Sequence, residues 1–179
     1  YPADNIFAAV GQGADFVTPL QLANAYACFA NGIAGGTGTL WTPHVGESVV
    51  NPMTNKVVST YRPKARGTIA ISPYVYGQMA AGFAGVVSDP AGTAYPAFQG
   101  LTIPGGAAGK TGTAQVNGKG PTSLFASYFP ADNPEYAVVA VVEQGGHGAE
   151  TAAPVVRQVI EAIRGLPVPP ITKATPGKA

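Results

Sequence analysis

The sequence has one cysteine, Cys28, so it cannot close a disulfide within itself, and the count leaves the redox compartment open. Cys28 falls in an apolar, helix-patterned stretch, where a buried and inert thiol is expected rather than a reactive one. Charge is scarce: Asp, Glu, Lys and Arg make up 11% of the chain and the formal net charge is +1. A near-neutral chain offers no electrostatic footprint for nucleic acid or for an anionic membrane. No apolar run reaches the ~18 residues that a membrane-spanning helix needs. The two histidines, His44 and His147, have no partners at metal-ligand spacing, so no metal site is expected. The chain opens on Tyr1-Pro2-Ala3-Asp4 with neither Met nor a leader, which gives the expectation that these residues come from the interior of a longer protein.

What is present is a folding composition. Hydrophobic residues are 46% of 179, enough for one domain and one core, and 24 Gly with 17 Pro imply many turns and several long loops. The first clear element is a helix from Pro19 to Asn31. Thr18 can cap it, Pro19 suits its first position, and Gln21 stands three residues after the cap. Leu22, Tyr26 and Phe29 recur on one face, and Asn31-Gly32 stops the helix. The preceding Gly11-Gln12-Gly13 reads as a close approach where a side chain would obstruct. Residues 33–39 read as a glycine-rich loop. Two strand-like runs, 42–50 and 56–61, flank an Asn51–Asn55 hairpin turn. Ser72-Pro73 opens a second helix with Val75, Met79, Phe83 and Val86 as its stripe, ended by Asp89-Pro90. Residues 90–106 read as irregular.

The period then changes. Residues 107–116, 122–129 and 136–143 read as three successive strands, and their short links imply antiparallel neighbours. The last, apolar from Tyr136 to Val142, is expected to be covered on both faces. A glycine-rich loop containing His147 leads to a helix over 149–164 with Val155, Val156, Val159, Ile160 and Ile163 on its packed face. Residues 166–179 hold four prolines and read as a tail. The fold class is therefore α/β (α+β), an antiparallel sheet flanked by helices. His44 is expected to bond a backbone carbonyl, and Trp41 and Tyr128 to serve packing. Lys56, Arg62, Lys64 and Arg66 read as a solvated basic cluster.

The segment that carries chemistry is Gly109-Lys110-Thr111-Gly112-Thr113-Ala114. A phosphate-binding loop needs a glycine five residues before its Gly-Lys pair and a helix after it. Here Pro104 holds that position, with no N–H to offer, and a β-run follows. A Lys-Thr-Gly strand beside an acyl-transfer site fits better. Such a strand can pair with an extended, peptide-like substrate, with Gly112 permitting close approach and Lys110 placing a cation in the cleft. Thr111 and Thr113 offer hydroxyls to a carboxylate, and a backbone N–H can help hold an oxyanion. By itself, the tetrapeptide fits an ordinary exposed strand better.

It is accompanied by further segments in one order. These are Gly11-Gln12-Gly13, then Thr18-Pro19-Leu20-Gln21-Leu22-Ala23 and Ala25-Tyr26-Ala27. Gly92-Thr93-Ala94 follows, then Ala131-Asp132-Asn133-Pro134, Ala137-Val138-Val139 and Ala152-Ala153-Pro154. Together they closely resemble the class B penicillin-binding proteins, from about Asn5 to Ile163. Thr122–Ala126 and Val142–Gly146 look most like actinobacterial enzymes of the elongation type. The resemblance implies an incomplete serine β-lactamase/penicillin-binding-protein-like transpeptidase fold, with residues 1–165 as its C-terminal part. It implies D,D-transpeptidase chemistry without a cofactor, in which a serine attacks a D-alanine carbonyl of a peptidoglycan stem peptide and β-lactams mimic that donor. Lys110 would stabilise charge in the cleft. Thr111, Gly112, Thr113, Ala114 and Gln115 would bind substrate, and the Thr113 N–H would form half of the oxyanion hole.

Two motifs that the family also uses are missing from these residues. No serine has lysine three places on (Ser48, Ser59 and Ser123 are followed by Asn51, Arg62 and Ala126), and none has asparagine two places on. The nucleophile is therefore expected outside this chain, and the chain alone is expected to be inactive. The expected partners are the N-terminal half of the same transpeptidase domain, the stem peptide, β-lactams and, by analogy, a SEDS-type glycosyltransferase. The expected location is the extracytoplasmic face of the cell membrane, reached through an N-terminal helix that this chain lacks. The rival readings are a D,D-carboxypeptidase or β-lactamase-type hydrolase, and a non-catalytic sensor or scaffold module.

Overall fold

In the computed structural model, residues 2–13, 16–33 and 35–168 are described. Of the proline-rich tail, Leu166, Pro167 and Val168 are among them and residues 169–179 lie outside. The expected helix forms as α2 (Pro19–Asn31), preceded by α1 (Pro2–Ala9). Thr18 accepts from the Gln21 N–H while the Gln21 side chain accepts from the Thr18 N–H, a complete capping box.

The next segment departs from the sequence reading. Thr37–Trp41 is a strand, β1, which takes in the last three residues of the loop expected over 33–39, and it pairs antiparallel with Ala65–Ala70, for which no element was expected. The next strands are β2 (Ser48–Val50), β3 (Val57–Thr60) and β4 (Ala65–Ala70). Long-range pairing made β1: Gly38 sits so close to Cys28 that a Cβ there would lie 2.0 Å from its carbonyl oxygen. Such close packing of strand on helix is not visible in local composition. The run 42–50 is a strand only at its end, where β2 pairs with β3 around the Asn51–Asn55 turn. His44 Nδ1 meets the Gly46 carbonyl at 2.9 Å, as expected, whereas Trp41 is 41% exposed and not a core residue.

Helix α3 (Pro73–Ser88) is capped by Ser72 and closed at Asp89. Its stripe divides: Val75 and Met79 are exposed, and Phe83 and Val86 pack inward. A four-residue helix, α4 (Tyr95–Phe98), interrupts the segment read as irregular. Strands β5 (Ala108–Ala114), β6 (Thr122–Phe129) and β7 (Tyr136–Val142) form an antiparallel sheet in the order β5-β6-β7, followed by α5 (Ala152–Ile163).

Alternation along β6 divides the core in two. Phe125 and Phe129 face α5, where Val156 and Ile160 are fully buried and Phe98 closes the cluster. Tyr128 faces the other side, against Ala30, Phe29 and Phe83. There Phe29 stacks on Tyr76 at 4.4 Å between ring centroids, and the Tyr76 hydroxyl donates to the Phe29 carbonyl at 2.9 Å. Cys28 is buried, as expected, and burial raises its thiol pKa. The expected double cover of β7 is not found: Tyr136 is 45% and Val141 36% exposed. Tyr136 pairs with Phe129 on the α5 face and Val141 with Leu124 on the α2 face, so neither face of the strand is covered along its whole length.

Candidate functional site

The Lys110–Thr113 stretch lies in β5, an edge strand of the three-stranded sheet, and neither in a helix nor in a loop. Register against β6 places Lys110 opposite Ala126, Thr111 opposite Phe125, Gly112 opposite Leu124 and Thr113 opposite Ser123. The pleat therefore puts Lys110, Gly112 and Ala114 on the α2 face and Thr111 and Thr113 on the α5 face. The side chains expected to share one cleft are divided between two faces, and what they have in common is the outer edge of the strand.

That edge can be followed through its acceptors. The Lys110 ammonium folds back to donate to the Thr111 carbonyl at 2.9 Å, and Gln12 Nε2 donates to the Thr113 carbonyl at 3.1 Å. Residues two apart in a strand direct their carbonyls to the same edge, and the N–H and C=O of one residue point the same way. The Thr111 and Thr113 N–H groups therefore share the side on which Gln12 approaches. The strand continues into a groove of ≈ 680 Å³ lined by Gln12, Thr113, Gln115, Lys119 and His147.

Three distant segments hold this strand. The Thr93 and Thr111 hydroxyls are 2.9 Å apart. The Gly148 N–H points at the Thr113 hydroxyl at 3.4 Å. A Cβ on Gly148 would lie 2.4 Å from the Leu124 carbonyl oxygen and 2.5 Å from that of Gly112, so only glycine lets this loop close on β5 and β6. Gln12 supplies the third contact. Gly11 and Gly13, read as close approaches, serve differently. A Cβ on Gly11 meets nothing within 4 Å and one on Gly13 meets only the Phe7 Cβ at 3.2 Å, but both have positive φ, +71° and +85°. They are needed for backbone conformation more than for space.

Gln12 and Thr93 lie in two of the segments that carry the family resemblance, but nothing in their local sequence points to a role at the strand. Their position in the recurring motifs was the only signal. Gly148 carried none.

Ser123 lies beneath the groove and is fully buried. Its hydroxyl donates to the His147 carbonyl and accepts from the Ala152 N–H, both at 3.0 Å. It caps α5 and fixes the His147 loop, which Thr151 also holds by donating to the Gly145 carbonyl at 2.6 Å. Among the described residues no cluster of three or more His, Cys, Asp or Glu could hold a metal ion, and no helix is long and apolar enough to cross a membrane.

The family model described as penicillin binding protein transpeptidase domain matches residues 3–161. The peptidoglycan D,D-transpeptidase MrdA of Salmonella typhimurium is 32% identical over 181 residues, covering 90% of this chain and 27% of the relative. Stage V sporulation protein D of Bacillus subtilis is 33% identical over 170 residues, covering 89% and 24%. Among solved structures, Pseudomonas aeruginosa PBP2 in complex with WCK 5153 superposes with a TM-score of 0.73 at 32% identity, covering 91% of this chain and 33% of that one. The imipenem acyl-enzyme complex of penicillin-binding protein A from M. tuberculosis gives 0.69 at 30% identity, covering 88% and 33%. The chain thus spans about a quarter of the length of the curated relatives it matches.

Proposed function

The chain belongs to the penicillin binding protein transpeptidase domain family, and from that premise we propose that it forms one wall of the acyl-transfer cleft of a class B peptidoglycan D,D-transpeptidase. The observation that carries the reading is the β5 edge, where the Thr113 N–H lies on the side from which Gln12 approaches and three remote segments fix the strand. An extended stem peptide, or a β-lactam in its place, lies along that edge. The Thr113 N–H then supplies one donor to the oxyanion that forms when a serine adds to the D-alanine carbonyl. The attacking serine, its lysine and the Ser-x-Asn motif come from polypeptide outside these residues. Lys110 leaves the Thr111 carbonyl and turns its ammonium into the cleft, where Thr111, Gly112, Ala114 and Gln115 complete the wall. The chemistry needs no cofactor.

The same reading explains the exposed apolar surface. Ile6 is 71%, Val10 69% and Phe16 88% exposed, and Met79 and Ile69 border an apolar hollow of ≈ 260 Å³ beside Phe29 and Tyr76. The N-terminal half of the domain covers these faces. At ~25 cal/mol per Å², the loss of several hundred Å² of cover is worth several kcal/mol, on the scale of a whole domain's stability. In the longer protein, a membrane anchor places the cleft on the extracytoplasmic side, beside a SEDS-type glycosyltransferase. Thr122–Ala126 and Val142–Gly146 suggest an actinobacterial, elongation-type source.

The test is labelling with fluorescent penicillin. The full-length protein takes a covalent label and the isolated 179-residue chain takes none. A label on the isolated chain would place the nucleophile among serines that this reading excludes, and an unlabelled full-length protein would remove the enzymatic assignment.

A further inference from the structure

We propose that Gln12 is a positioning residue for acyl transfer, which sets the outer edge of β5 at the residue whose N–H receives the oxyanion. The proposal rests on the reading of Thr113 given above and adds to it the device that holds Thr113 in place. The contact spans 101 residues of sequence: Gln12 Nε2 donates to the Thr113 carbonyl at 3.1 Å in a half-buried setting.

The backbone of Gln12 is itself fixed. Helix α1 closes through the Val10 N–H donating to the Phe7 carbonyl at 3.1 Å and the Gly11 N–H donating to the Ala8 carbonyl at 3.0 Å. The Gln12 N–H then returns to the Phe7 carbonyl at 2.9 Å. Gly11 at φ +71° and Gly13 at φ +85° give the left-handed turns on either side, so the chain reverses and the Gln12 side chain is directed at the strand. An edge strand has no neighbour on its outer side to keep it flat, and its peptide groups are free to rock. The Gln12 amide takes the place of that neighbour at one position. A carbonyl has two lone pairs, so the contact leaves an acceptor for a substrate amide lying along the same edge. From the α5 side, the Gly148 N–H points at the Thr113 hydroxyl, so this residue is gripped through both its carbonyl and its side chain.

The experiment compares Gln12→Met and Gln12→Glu with the unaltered full-length protein, following acylation by penicillin in single-turnover kinetics. Met matches the length of the side chain without a donor, and Glu sets a carboxylate against the Thr113 carbonyl. The expected result is a fall of about ten- to a hundredfold in the acylation rate at saturating penicillin, since misplacing a reacting geometry has effects of that size. The penicillin concentration giving half the maximal rate should change less than about threefold, and the melting temperature of the Met variant should stay near that of the unaltered protein. Gln12→Glu should be the slower variant, because it replaces attraction by repulsion. Acylation of both variants at the unaltered rate would overturn the proposal. So would a loss confined to the fraction of protein that can be labelled, with the rate of the labelled fraction unchanged, because that is what a purely structural contact gives. If the unaltered protein itself fails to label, the acyl-enzyme reading falls first and this one with it.

Discussion

Thr93 and Thr111 are 18 residues apart in sequence and place their hydroxyl oxygens 2.9 Å apart, joining the loop before α4 to the strand proposed to bind substrate. Thr93 is on the exposed side of this pair, so the bond is worth little to stability. Thr93→Val should lower the unfolding free energy by no more than about 1 kcal/mol. If Thr111 meets a donor carboxylate, the same substitution should slow acylation several-fold by releasing its hydroxyl. Urea denaturation and penicillin labelling of the full-length protein measure the two effects separately.

The closure of the His147 loop depends on one missing side chain. Gly148→Ala places a Cβ against backbone atoms of Leu124 and Gly112, which cannot move aside without opening the sheet. The expected loss is at least about 2–3 kcal/mol, as for other overpacked sites. Gly146→Ala is the control, because a Cβ there meets nothing within 4 Å and only the φ of +78° opposes it. It should lose about 1 kcal/mol. Thermal unfolding of both variants checks the ordering.

Arg157 ties α5 to the C-terminal end of α4: Nε donates to Glu161 at 2.9 Å, and Nη1 donates to the carbonyls of Ala97 and Gln99 at 3.0 and 2.9 Å. The Glu161 side chain is only 5% exposed, so Arg157→Ala leaves a buried carboxylate without its cation. A loss of about 3 kcal/mol is expected, and Arg157→Leu combined with Glu161→Leu should recover part of it. Chemical denaturation of the two variants tests this.

Burial raises the Tyr26 phenol from 10.0 to about 12. Tyr128 is also raised to about 12, first by burial and then by the nearby Tyr76 and Tyr26. Both groups hold their protons more tightly folded than unfolded. The stability this gives is complete below pH 10, the ordinary value, and is lost as pH rises through about 12. Melting temperature should fall across that window. Tyr26→Phe should flatten the fall, because it removes one of the titrating groups.

Ile6, Val10 and Phe16 expose most of their surface, so the isolated chain should not behave as a cooperative, monomeric domain. Analytical ultracentrifugation of the 179 residues should give association or aggregation. A sharp monomer boundary with a cooperative melt would contradict the proposed missing cover.

Elements built from local signals were legible in the sequence. Capping boxes, prolines at first helical positions and residue periodicity act within a few positions, and they located α2, α3 and the strands β5, β6 and β7 to within about two residues. The start of α5 was three residues late because Ser123, on β6, caps it from across the fold. Strands β1 and β4 were missed for the same reason: Thr37–Trp41 is rich in glycine and threonine, and only its pairing with Ala65–Ala70 makes it a strand.

For the site, the sequence by itself determined that Lys110-Thr111-Gly112-Thr113 lies in a strand, because strand period and turn residues act locally, whereas the acyl-transfer role was implied only by the family resemblance. Only the tertiary structure decided which helical layer Lys110 and Thr111 each face, that β5 is an edge, and that Gln12, Thr93 and Gly148 hold it. A hydrogen bond across 101 residues depends on where two backbones meet, and no local pattern encodes that meeting.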